Sequence, residues 1–174
     1  MKSASQRRSP YQGLIPYEEE DAPFFFGRPN ETRLIAANLF ATPLTLLYGA
    51  SGVGKSSVLR AGVINSLRPR HDLLVVEFHA WQSEPLGGLK TAVAAAAARA
   101  NDQGVPISDS TSLAEYLAAW ATRLDRRLMI ILDQFEEYFL YYPQDDAFAV
   151  QFPEAVMQAE APVSFLISIR VVPQ

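Results

Sequence analysis

Residues 43–57 read Pro43-Leu44-Thr45-Leu46-Leu47-Tyr48-Gly49-Ala50-Ser51-Gly52-Val53-Gly54-Lys55-Ser56-Ser57, and this stretch decides the fold. Pro43 to Tyr48 is short, apolar and bounded by turn formers, the signature of a strand buried on both faces of a parallel sheet. Gly49 to Ser56 then sets a glycine, four variable residues and Gly-Lys-Ser between that strand and a helix expected from Lys55 to about Leu67. Each residue type has a physical task. The glycines let the backbone curl so that successive N–H groups point into one concavity, and the helix N-terminus adds positive partial charge there. Gly49, Ala50, Ser51, Gly52, Val53, Gly54, Lys55, Ser56 and Ser57 are therefore the candidate phosphate-binding residues. Lys55 sets an ammonium against β- and γ-phosphates, and the Ser56 hydroxyl suits the octahedral shell of Mg2+. The rival reading, a glycine-rich turn that binds nothing, does not account for the flanking strand and helix.

A second apolar strand, Leu128 to Leu132, ends in Asp133, followed by Gln134-Phe135-Glu136-Glu137. Carboxylates at the C-terminal end of a strand lie at the ligand edge of an open α/β sheet, where the glycine loop also opens. Asp133 is the candidate metal residue beside Ser56, and Glu136 or Glu137 is placed to orient or deprotonate an attacking water. Asp133 with Glu136 three residues on also resembles a capping box, and both readings are compatible.

Outward from these motifs, residues 1–23 read as an extended arm whose cluster Glu18, Glu19, Glu20 and Asp21 is taken as solvated, and residues 24–174 as one core. Asn30 is expected to cap a helix from Glu31 to about Phe40 with an apolar stripe of Leu34, Ala37 and Leu39. Leu73 to Phe78 and Val163 to Ile169 read as further strands. Helical patterns run from about Leu86 to Ala100, from about Ser112 to Arg126, and through a last segment interrupted by Pro153, with a loop at Asn101 to Pro106. Strands alternating with helices predict a three-layer α/β/α sandwich on a mainly parallel sheet. His71 and His79 lack metal-ligand spacing. Trp81 and Trp120 read as packing, with His79-Ala80-Trp81 lining the sheet edge.

Composition narrows the function classes. The chain has 174 residues, enough for one domain with a sizeable core, and its 49% hydrophobic and 20% charged residues are those of an ordinary globular protein. Fifteen basic and nineteen acidic residues give a net charge of −4, so no overall positive field draws a nucleic acid backbone. Without cysteine, disulfides, thiol nucleophiles and cysteine zinc sites are excluded. No apolar leader follows the basic N-terminus and no run approaches the roughly 20 apolar residues of a membrane span. The expected location is cytoplasmic, with no membrane partner.

Taken in order, these motifs resemble the STAND NTPases, signal-transduction ATPases related to the AAA+ and NACHT proteins, and in particular their bacterial novel STAND branch. The residues that carry the resemblance are Pro10-Tyr11-Gln12-Gly13-Leu14, Glu19-Glu20-Asp21-Ala22, Phe25-Phe26-Gly27-Arg28, the phosphate loop continuing through Ser56-Ser57-Val58-Leu59-Arg60-Ala61-Gly62, and Asp133-Gln134-Phe135-Glu136-Glu137. The resemblance implies ATP rather than GTP, and an ADP-held inactive state that ATP converts to an active, oligomerising one. It places Phe26, Gly27 and Arg28 near adenine and ribose and makes Arg170 a γ-phosphate sensor. The alternatives are core packing for the phenylalanines and an exposed strand-end residue for Arg170. Gln134 stands where many related ATPases carry a catalytic glutamate, which implies slow or absent hydrolysis. The NACHT pattern favours Glu136 as base, with Glu137 second. By the same likeness a fifth strand, a helical lid and sensor or repeat modules are missing after Arg170, so the core reads as incomplete at its C-terminus. Protein partners or self-association would lie in those modules, and without a lid the site stays open to water.

The expectation is thus an ATP-binding, Mg2+-dependent NTPase domain of signalling type, with ATP or ADP and Mg2+ as its cofactors. A non-hydrolytic nucleotide-binding interaction module is the alternative. A small-molecule P-loop kinase is less favoured, since no arginine-rich lid is visible. A GTPase lacks its Asn-Lys-x-Asp segment.

Overall fold

The structure, a computed structural model, describes residues 17–24, 28–100, 107–108, 111–144, 147–158 and 161–171. Along the chain, a 3-10 turn at Glu19–Phe24 is followed by α1 (Pro29–Ala41), β1 (Leu44–Gly49) and α2 (Lys55–Ser57). The last runs on through a π-helical stretch, Val58–Ile64, into α3 (Asn65–Leu67). Then come β2 (Leu73–Phe78), α4 (Pro85–Arg99), α5 (Leu113–Leu124), β3 (Arg127–Leu132), α6 (Glu136–Tyr141), α7 (Ala147–Met157) and β4 (Val163–Arg170).

The four strands form one parallel sheet in the order β1-β4-β3-β2. Successive side chains of a strand point to opposite faces, and each face carries its own core. On one side Leu74, Val76, Phe78, Leu128, Ile130, Leu132 and Phe165 pack with α4, α5 and α7. On the other, Leu73, Val75, Met129, Ile131 and Leu166 pack with α1 and the π-helical stretch. This is the three-layer α/β/α sandwich expected from the alternation of strands and helices. Within it Ser112 and Glu115 close a capping box at the start of α5, and Glu84 caps α4 by accepting from the N–H groups of Leu86 and Gly87.

Several local expectations are corrected. β1 has the apolar composition of a buried strand but lies at the sheet edge, with Leu46 57% and Tyr48 69% exposed. α1 starts at Pro29, and the residue before it, Arg28, makes no side-chain cap; Asn30 instead accepts from Arg33. Its buried stripe is Ile35 and Leu39 rather than Leu34, Ala37 and Leu39, Leu34 being 64% exposed. Pro153 lies inside α7 rather than interrupting it, and α6 is a separate helix. The acidic cluster is not simply solvated. Glu18 pairs with Arg60 at 2.7 Å, Glu19 with Arg68 at 2.8 Å, and Asp21 is buried. Among the described residues, no helix is long and apolar enough to cross a membrane. The Asn101–Pro106 loop, Pro10–Leu14 and Phe25–Gly27 lie outside the described residues.

Candidate functional site

The register brings the C-terminal ends of the inner strands and of β1 to one edge of the sheet. Gly49 at the end of β1 pairs with Arg170 at the end of β4, and Leu132 pairs with Ile167, so Asp133 continues beside Ser168. The glycine loop and the acidic strand end therefore share the ligand edge of a parallel α/β sheet.

Between β1 and α2 the loop curls through Gly52 at φ 76° and Gly54 at φ 83°, a backbone region that strains any L side chain. The Lys55 ammonium turns back and donates to the carbonyls of Gly49 and Ala50, both at 2.9 Å. These bonds hold the curl closed, with the cation at its mouth. Ser57, buried two positions on, accepts from the Tyr17 N–H at 3.0 Å. The arm is thereby seated against the start of the helix.

Across the cavity, Asp133 is only 1% exposed. Its N–H donates to the Phe78 carbonyl at 2.9 Å, its Oδ1 accepts from the Gln134 N–H at 3.0 Å, and its carbonyl accepts from the Trp81 indole at 2.7 Å. Gln134 occupies the left-handed region at φ 55°, and the Phe135 N–H donates to the Ser168 carbonyl at 2.9 Å. The capping-box reading of Asp133 is corrected here. The residue flanking α6 is Phe135, no side chain caps that helix, and the Asp133 carboxylate turns to its own neighbour instead. Asp133 Oδ2 and Ser168 Oγ are buried with no hydrogen-bond partner among the described residues. Buried polar atoms in folded proteins are as a rule hydrogen-bonded, so two orphans at one cavity wall mark a place where a further polar group belongs.

Glu136 faces Arg170. Its Oε2 accepts from the Arg170 N–H at 2.9 Å, and its Oε1 lies 3.9 Å from Arg170 Nε. Behind the phosphate loop, Arg60 bridges Glu77 at 2.6 Å and Glu18 at 2.7 Å. Burial lowers the affinity of its guanidinium for the proton. The Glu77 hydrogen bond and the charges of Glu77, Glu18 and Asp133 outweigh that and hold its pKa above the ordinary value. Burial pushes Glu19 up, against the opposing pull of Arg68.

A cavity of about 650 Å³ opens between the glycine loop and the acidic strand end, a size typical of small-molecule sites. Of the residues singled out from the sequence, Arg28, Ser51, Gly52, Val53, Gly54, Lys55, Ser56, Ser57, Asp133, Gln134, Glu136, Glu137 and Arg170 line it. Gly49 and Ala50 meet it only through the Lys55 ammonium they hold. Phe26 and Gly27 lie outside the described residues. Tyr17, Leu140 and Ser168 also line the cavity and were not expected there. Ser168 had a visible signal, a serine near the C-terminal end of an otherwise apolar strand; Tyr17 and Leu140 had none.

Hard oxygen donors suit Mg2+, which takes one or two protein ligands and leaves the rest of its shell to water and substrate phosphates. The orphaned Oδ2 of Asp133 and the Ser56 hydroxyl on the same cavity fit that donor set. Among the described residues no group of three or more His, Cys, Asp or Glu side chains could hold an ion by itself.

Sheet order, glycine loop and acidic strand end together define an α/β P-loop NTPase domain. A family model described as Novel STAND NTPase 1 matches residues 10–171, and the chain belongs to that family. Among solved structures, the chain is similar to a Walker-type ATPase of Pyrococcus abyssi at TM-score 0.60 and 21% identity, over 90% of this chain and 48% of that one. It is also similar to the ORC2 protein of Aeropyrum pernix, solved as ADPNP–ADP complexes, at TM-score 0.63 and 16% identity, over 94% of this chain and 45% of that one. At these identities the likeness establishes the fold, and the chain spans about half the length of the structures it matches. No curated protein matches the chain significantly.

Proposed function

We propose that this domain binds ATP with Mg2+ and hydrolyses it slowly at the β–γ bond, as the nucleotide-holding core of a STAND-type signalling switch. The observation that carries the reading is the shared cavity, with Lys55 and Ser56 on one wall and the unpartnered Asp133 Oδ2 on the other. In this reading the backbone N–H groups from Ser51 to Ser57 cradle the phosphates and Lys55 exchanges its loop carbonyls for phosphate oxygens. Ser56 and Asp133 hold the metal. When bound, Mg2+ neutralises charge on the β- and γ-phosphate oxygens. The remaining chemistry is positioning. Glu136, oriented by the Arg170 N–H, directs the attacking water, with Glu137 as the second candidate. Arg170 reads the γ-phosphate through its tie to Glu136. Arg28, with Phe26 and Gly27 before it, serves the adenine and ribose. Protein partners or self-association carry the signal onward, and the place of the domain is the cytoplasm, where ATP is supplied.

Slow turnover is supported by Gln134 next to Asp133 and by the engagement of Glu136 with Arg170. The same two features favour a second reading, a non-hydrolytic module whose conformation a partner reads. Calorimetric titration with ATP tests the first reading. Lys55→Ala is expected to abolish binding, while Glu136→Gln combined with Glu137→Gln keeps binding and removes ADP formation. Undiminished binding by the lysine variant contradicts the proposal, and ATP retained intact by the wild type selects the non-hydrolytic reading.

A further inference from the structure

We propose that Trp81 is a positioning residue for the Asp133 carboxylate, an inference that rests on the nucleotide-binding reading above. Trp81 is fully buried, and its ring meets Phe78, Phe135, Tyr138 and Phe148 edge-on or tilted at centroid distances of 4.8–5.9 Å. Packing of that kind is satisfied by any large aromatic ring and does not call for an indole. What phenylalanine lacks is the N–H, and Trp81 donates it to the Asp133 carbonyl at 2.7 Å, across 52 residues of sequence. The other tryptophan shows the contrast. Trp120 is equally a core ring, yet its indole N–H has no partner among the described residues.

The carbonyl that Trp81 grips belongs to the same rigid peptide plane as the Gln134 N–H, and the two point in opposite directions. Pinning the oxygen therefore fixes where that N–H points. The Gln134 N–H in turn holds Asp133 Oδ1 at 3.0 Å, and Oδ2 is the carboxylate oxygen left unbonded. The plane also leads into Gln134 at φ 55°, a conformation that a residue with a side chain keeps only when its surroundings determine it. Among the hydrogen bonds described at Asp133 to Phe135, that of Trp81 is the only one donated by a side chain from outside the turn. The chain of cause runs from the indole through the peptide plane and the Gln134 N–H to the aim of Oδ2 at the cavity. The tryptophan at the end of β2 thus sets the metal-facing oxygen at the end of β3.

The test is the Mg2+ dependence of ATP binding, measured by calorimetry in the full chain. Trp81→Phe keeps an aromatic ring and removes the donor. ATP binding in EDTA is expected to stay within about twofold of wild type, while the Mg2+ concentration that half-saturates the enhancement of binding rises by about tenfold or more. Phe148→Leu weakens the ring packing and keeps the donor, so its Mg2+ response should match wild type. A Trp81→Phe protein with the wild-type Mg2+ response, or a Phe148→Leu protein with an equal loss, overturns the proposal. If Trp81→Phe does not fold, Trp120→Phe leaves Trp81 as the sole tryptophan. Its emission should then change when Mg2+ is added to the ATP-bound protein and not when ATP is added in EDTA, and silence to Mg2+ overturns the proposal. Wild-type protein that binds no ATP under either condition refutes the nucleotide reading itself. A normal wild-type response with an unaltered Trp81→Phe response refutes only the role of Trp81.

Discussion

β1 and β3 both end at the cavity, yet they are held in opposite ways. From Leu128 to Leu132 every residue of β3 is wholly buried between two neighbouring strands and two helical layers. Among the described residues β1 has a single partner strand, β4, and leaves Leu46 and Tyr48 open on one face. The acidic end of β3 is consequently fixed from outside, by Phe78, Ser168 and Trp81. The glycine loop after β1 is fixed from within, by its own positive-φ glycines and the Lys55 ammonium. The two walls of the site are thus held by different means. A rigid wall presents the carboxylate, while the loop is braced by its own lysine, which in the proposed function exchanges two backbone carbonyls for phosphate oxygens.

The comparison breaks most readily in the core. Leu132→Ala, on the inner strand, is expected to cost about 2–5 kcal/mol in chemical denaturation, whereas Leu46→Ala, on the edge strand, stays within about 0.5 kcal/mol. Equal losses would mean that β1 is covered as β3 is. A smaller effect is expected in the helical layer over the inner strands, where α5 begins with its capping box. Ser112→Ala should lower stability by about 1 kcal/mol, read by the same denaturation curves.

The finest distinction is in pH dependence. The Ser112 hydroxyl and N–H hold the Glu115 carboxyl below its ordinary range. A carboxyl depressed in the folded state adds stability that is present above its unfolded value of about 4.3 and is lost as pH falls through the folded value. Thermal melts from about pH 6 to pH 3 should therefore show wild type losing more stability than Glu115→Gln. Parallel curves would remove the box from the account.

Much of this was legible in the sequence because it is local. β2, β3 and β4 are largely apolar runs bounded by turn formers, and the glycine spacing of residues 49–56 fixes a loop between strand and helix. The same apolarity misled at β1, since composition alone does not separate an edge strand from a central one; strand order is set by crossovers. The pairing of Glu18 with Arg60, 42 residues away, turned a cluster read as solvated into a docked segment. Trp81 read as packing because its N–H partner lies 52 residues on. The capping-box reading, held beside the metal role of Asp133, fails because nothing in the sequence announces the left-handed Gln134 that diverts its carboxylate. The π-helical stretch escaped as well, because Val58, Leu59, Ala61, Val63 and Ile64 are buried nearly all round and leave no period to read.

In the proposed function Asp133 and the phosphate loop hold one Mg2+–nucleotide between them. Titration of wild type and Asp133→Asn with ATP, in EDTA and in Mg2+, tests it most directly. Mg2+ is expected to tighten ATP binding to the wild type, and Asp133→Asn to retain binding in EDTA and lose the tightening. An Asp133→Asn protein whose binding tightens with Mg2+ as the wild type's does would contradict it.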